Sequence, residues 1–154
     1  MSTRGSAGTT GHTSPIRTAA TIVGAVFVLT GIAGFIPGIT TNYDALELAG
    51  HESHAKLIGL FEVSVLHNVV HLLYGLAGLA LARSFSGARA YLLGGGAVYL
   101  LLWLYGILID TEPGTEADFV PFNNADNWLH LGLGLGMIAL GLVLGRDRTA
   151  SARH

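Results

Sequence analysis

The residues that could do chemistry form a short constellation. His67 and His71 stand four apart, so a helix would place both imidazoles on one face, with Asn68 and Ser64 on or beside it. Glu62 lies five residues before His67, and a second Asn-x-x-His follows at Asn127 and His130. Three kinds of chemistry suit such a set. Asn and His form hydrogen bonds between helices in an apolar setting. Imidazole is a common ligand for haem, zinc and copper, so His67, His71 and His130 are the cofactor-binding candidates for haem b or a metal ion. A carboxylate beside imidazoles also suits a proton path or a small-ligand pocket. No catalytic residue is nominated, and packing between helices is the leading expectation for these groups.

The surrounding chain says what must position them. Of its 154 residues 51% are hydrophobic and only 12% charged, with a net charge of −2. Mean hydropathy is +0.54. A soluble domain carries about 25% charged residues, so half that level points to lipid. There is no cysteine, which excludes disulfides, thiol redox chemistry, iron–sulfur clusters and thiolate metal sites.

Four apolar stretches predict four spans, at 18–36, 57–82, 90–109 and 128–144. The first is long enough to cross a bilayer and ends at Pro37-Gly38. It lacks the small-residue cleavage site of a signal peptide and reads as a retained helix. Residues 1–15 are rich in Ser, Thr and Gly and read as a disordered tail. Residues 16–145 make the transmembrane domain, and 146–154 a short basic tail. In this arrangement Arg4, Arg17, Arg83, Arg89, Arg146, Arg148 and Arg153 share one side, and Lys56 lies on the other. The positive-inside rule then puts both termini in the cytoplasm and both longer loops outside. The expectation is an all-α, multi-pass, four-helix bundle in a bacterial plasma membrane. Its partners would be the lipid bilayer and a second copy or a membrane-complex subunit, not nucleic acid.

Helices two and four carry the same pattern, Asn68-x-x-His71-Leu72-x-x-Gly75-Leu76 against Asn127-x-x-His130-Leu131-x-x-Gly134-Leu135. More weakly, Gly24-Ala25-Val26-Phe27 in the first span matches Gly96-Ala97-Val98-Tyr99 in the third. This suggests two helical hairpins running in the same direction, related by an axis along the membrane normal. His71 or His67 would then share a central space with His130. Counted from Arg83 and Arg146, His130 is four residues farther out than His71, about 6 Å of helix rise, which by depth favours His67. Both partners stay open. Glu62, Ser64, Asn68 and Asn127 would complete a polar bundle centre. His51 and His54 fall in an outer loop, where solvation outweighs metal binding. Asn123 to Trp128 reads as a helix start with an interfacial Trp. Nothing matches a nucleotide-binding loop, a nucleophile elbow or a nucleic-acid patch.

The motifs P-G-I-T-T-N-Y-D, G-L-F-E-V-S-V-L-H-N-V-V-H-L-L-Y-G-L-A-G-L and N-A-D-N-W-L-H-L-G together resemble those of small actinobacterial membrane proteins, domain-of-unknown-function family 4383. The resemblance covers about residues 16–144. It implies a four-helix integral membrane protein from a bacterium, and it transfers no activity and no site. The residues themselves suggest a non-enzymatic protein, either an accessory subunit or a binder of a small apolar ligand. The alternatives are a haem- or metal-binding redox protein and, third, a proton or ion conduit.

Overall fold

The computed structural model describes residues 14–50, 53–109 and 123–146. The expected tails at 1–15 and 146–154 fall almost wholly outside them, as do His51 and most of the loop after Ile109. Four helices carry the chain: α1 Pro15–Ala33, α2 Val65–Leu81, α3 Phe85–Ile109 and α4 Asn124–Val143. α1, α3 and α4 are long and apolar enough to cross a membrane, and α2 is a shorter apolar helix of 17 residues. Leucine, isoleucine and valine side chains such as Ile22, Val26, Leu73, Leu101 and Val143 lie exposed around the bundle. Soluble proteins rarely leave apolar surface so continuous, whereas hydrocarbon solvates it. This is an all-α membrane bundle.

The bundle is built from two hairpins, α1 against α2 and α3 against α4. Each is joined where glycines let backbones touch. A Cβ at Gly24 would stand 2.9 Å from the Gly75 carbonyl oxygen, and one at Gly96 would stand 2.8 Å from the Gly134 carbonyl oxygen. These are the equivalent positions of the sequence repeat. The correspondence extends up both hairpins: a Cβ at Gly34 would strike the Asn68 amide, and one at Gly106 would strike the Asn127 amide. Ser64 and Asn123 are equivalent N-caps, accepting hydrogen bonds from the backbone N–H groups of His67 at 3.2 Å and Asp126 at 3.0 Å. Two structurally equivalent hairpins therefore repeat the same contacts. The halves meet through side chains, chiefly Phe27 stacked on Tyr99 with ring centroids 5.3 Å apart.

Helix boundaries differ from expectation most at α2. The span expected to begin at Leu57 begins at Val65, because the residues before it form a small antiparallel sheet. Strands β1 Thr40–Thr41, β2 Lys56–Leu57 and β3 Phe61–Glu62 pair in the order β1-β2-β3, with a 3-10 turn at Tyr43–Ala45 in the first connection. The reversal between β2 and β3 uses Ile58 and Gly59, both at positive φ (49° and 74°). A helix cannot pass through that geometry, and Ser64, extended at φ −125°, restarts the chain as an N-cap. α3 instead starts earlier than expected, at Phe85. The Ser84 hydroxyl accepts the Gly87 N–H at 3.0 Å, drawing most of the basic turn into the helix.

The sheet covers the end of the bundle where α1 and α3 finish and α2 and α4 begin. Arg17, Arg83, Arg89 and Arg146 belong to the opposite end. There Arg17 Nε donates to the Ala82 carbonyl at 3.0 Å, satisfying an open acceptor at the end of α2.

Candidate functional site

Under the sheet, between the ends of α1, α2 and α4, lies a pocket of about 350 Å³. Leu29, Thr30 and Ala33 of α1 form one wall, and Leu129 and Leu133 of α4 the facing one. Ile39, Leu57, Ile58, Phe61 and Val63 supply the roof. Besides the Thr30 hydroxyl, four ionisable side chains bring polar chemistry to this apolar shell: His67, His71, Asp126 and His130. The volume is at the small end of ligand pockets, and their usual make-up is the one seen here, apolar walls with a few convergent polar groups.

The helix starts place these groups. Capping by Ser64 sets His67 one turn into α2, and His71 follows one turn later. Their rings meet edge to face with centroids 4.3 Å apart. On α4 the capping box of Asn123 and Asp126 sets Asp126 at the position equivalent to His67. His130 takes the position equivalent to His71. The aromatic pair at the seam touches both deeper imidazoles: Phe27 packs on His71 at 5.4 Å and Tyr99 on His130 at 5.3 Å, centroid to centroid. Tyr99 Oη also lies 3.5 Å from His71 Nε2. His71 shares Tyr99 with His130, and His67 lines the same pocket, so both histidines of α2 are brought toward His130.

Asp126 is almost wholly buried. Its Oδ2 accepts the backbone N–H of Glu62 at 3.0 Å and that of Asn123 at 3.2 Å. One carboxylate therefore ties β3 to the start of α4, and the Asn123 amide adds a bond to the Leu60 carbonyl at 2.8 Å. From the sequence alone Asp126 is only part of the helix start at Asn123 to Trp128. Extending the repeat by one residue, His67-Asn68-x-x-His71 against Asp126-Asn127-x-x-His130, would have pointed to it.

The remaining expected site residues lie elsewhere. Glu62 is on β3, not in a helix, and pairs across the strands with Lys56 at 3.5 Å. Ser64 is the buried N-cap of α2. Asn68 and Asn127 are buried inside the two hairpins, each against its own glycine, and neither lines the pocket. His54 is exposed in the first connection. Among the described residues no group of three His, Asp or Glu side chains is gathered closely enough to hold a metal ion.

A family model described as a domain of unknown function, DUF4383, matches residues 17–143. No curated protein and no solved structure matches the chain.

Proposed function

The chain belongs to this family of unknown function, and on that premise we propose that it is a membrane-embedded binding protein for one small, mostly apolar molecule. The observation that carries the reading is the pocket, whose walls are apolar but for the Thr30 hydroxyl and the point where three imidazoles and a buried carboxylate converge. Apolar walls contribute affinity and the polar groups fix orientation. Nothing in the arrangement supplies a nucleophile with its base and an oxyanion site, so binding accounts for the geometry better than catalysis does. The protein sits in a bacterial plasma membrane with both termini cytoplasmic and the sheet end outside.

The test is extraction. Protein purified in mild detergent is treated with organic solvent and the extract examined by mass spectrometry, with a His71→Leu/His130→Leu double variant beside it. A near-stoichiometric molecule held by the wild type and lost from a folded variant is expected. An empty extract from both, with no partner subunit missing, would sink the reading.

The histidines keep one alternative in view, ligation of haem or a metal by His71 and His130 with His67 beside them. An absorption spectrum after haem supplementation and a metal analysis separate the two. A Soret band that vanishes in His130→Ala would favour ligation.

A further inference from the structure

Building on the binding function proposed above, we infer that the pocket is filled sideways from the bilayer, through a portal between α1 and α4, by a membrane-dissolved molecule with a neutral carbonyl or hydroxyl head on a hydrocarbon body. Three observations lead there. The first is where the bundle is open. α1 is held by α2, and α4 by α3, while α1 and α4 touch one another least of these pairs. The corresponding seam between α2 and α3 carries bulk where the pocket has none. Tyr74 stands at the position equivalent to Leu133, its ring packed on Phe27 at 4.8 Å, and Tyr105 stands at that equivalent to Ala33. Two smaller side chains thus leave one of two equivalent seams unfilled.

The second observation is the chemistry of the mouth. The exposed pocket residues are Leu29, Ile39, Ile58 and Leu129, all apolar, with Leu29 and Ile58 about two-thirds exposed (65% and 66%), and Thr30 beside them is half-buried. Leu29 and Leu129 belong to helices long enough to span. An opening rimmed this way on the flank of spanning helices faces hydrocarbon, and a water-filled access path would carry charged groups at its rim where this one has a single hydroxyl.

The third is the gradient within. The mouth is apolar but for the Thr30 hydroxyl and the ionisable groups sit inside, so an occupant enters head first and leaves its hydrocarbon toward the lipid. No Arg or Lys lines the pocket, so an anionic head would be buried without a counter-ion, and the one carboxylate, Asp126, is already engaged by two backbone N–H groups. Imidazole both donates and accepts, depending on its tautomer. The Nδ1 of His71 is buried with no hydrogen-bond partner among the described residues. A carbonyl or hydroxyl satisfies such a wall, and a carboxylate does not.

The absence of cysteine makes the test direct. A nitroxide is attached at Thr30→Cys in phosphatidylcholine–phosphatidylglycerol vesicles, and its collisions with oxygen and with a nickel chelate are compared. Labels at Leu101→Cys and Leu48→Cys give the lipid and water references. A label at residue 30 that behaves like the lipid reference is expected. Nickel access, or shielding from both reagents, overturns lateral access. In the same vesicles photoreactive hexadecanol and hexadecanoic acid are compared for labelling of peptides bearing His67, His71 or His130. The alcohol should label about a hundredfold more than the acid, the order expected for an unpaired charge in hydrocarbon; equal labelling or excess acid labelling overturns the head-group assignment. Pocket labelling with nickel access at residue 30 would leave the binding function standing and remove only the portal. No pocket labelling by either probe, with an empty solvent extract, would remove the binding function itself.

Discussion

Phe27 stacks on Tyr99 with ring centroids 5.3 Å apart and planes inclined by 29°. The two residues occupy equivalent places in the two hairpins, so the ring pair joins one repeat to the other and forms the floor beneath His71 and His130. Truncating it should loosen the halves without melting either. Phe27→Ala is expected to cost about 3–5 kcal/mol. Tyr99→Phe, which keeps the stack and loses only the hydroxyl beside His71, should cost about 1 kcal/mol. Thermal unfolding in detergent ranks the two, and equal losses would mean that the hydroxyl, not the stack, holds the seam.

The glycine contacts give a sharper test because the chain contains its own controls. Gly75→Ala and Gly134→Ala put a methyl against a facing backbone or a leucine side chain and should each destabilise by about 1–3 kcal/mol. Gly132 and Gly136 have nothing within 4 Å of where a Cβ would stand. Alanine there should be neutral or stabilise slightly, through helix propensity. A melting series in which Gly132→Ala falls as far as Gly134→Ala would refute the close approach of the hairpins.

Asp126→Ala removes the acceptor shared by the Glu62 and Asn123 backbone N–H groups. Hydrogen bonds to a charged acceptor contribute about 1.5–3 kcal/mol each, and the loss should be local. Hydrogen exchange is expected to rise in the β2–β3 hairpin and in the first turn of α4, while the middle of α3 stays protected. Uniform exchange throughout would show that the carboxylate supports the whole bundle.

Ile58 is a β-branched residue at φ 49°, a conformation that costs such residues about 1–2 kcal/mol. Ile58→Asn suits the turn and should stabilise the sheet by about 1 kcal/mol. It also puts a polar amide at the mouth of the pocket, so retention of the extracted molecule should fall. A variant that is both more stable and a better binder would contradict the place assigned to Ile58.

Orientation is checked with the same cysteine-free background. Leu60→Cys, exposed on the sheet, should react with an impermeant maleimide on intact cells, and Ser86→Cys, exposed at the start of α3, only after lysis. The opposite result inverts the protein.

Much of this was legible beforehand, and for physical reasons. The number of helices follows from four apolar runs, since little else hides so much hydrocarbon. The equivalence of Asn68-x-x-His71 and Asn127-x-x-His130 survives into contacts because helix packing repeats with side-chain size, and the paired glycines preserve that. Leu57 to Val63 reads as helix in the sequence because a short apolar run looks alike in a strand and in a helix. What decides it is the distant pairing with Thr40 and Thr41. Asp126 is hidden for a related reason: a carboxylate next to a helix start looks like solvated loop until the strand above it is known.

The shortness of α2 has a consequence for the membrane itself. Its 17 residues rise about 25 Å and the 25 residues of α3 about 37 Å, so the apolar girdle is lower on one flank than on the other. A bilayer with a hydrocarbon core of about 30 Å cannot meet both heights while flat and upright. The lipids thin beside α2, or the molecule leans until α3 is shortened in projection. The small sheet is open at β1 and β3, so it cannot sink into hydrocarbon and must stay at the level of the headgroups above that lowered rim.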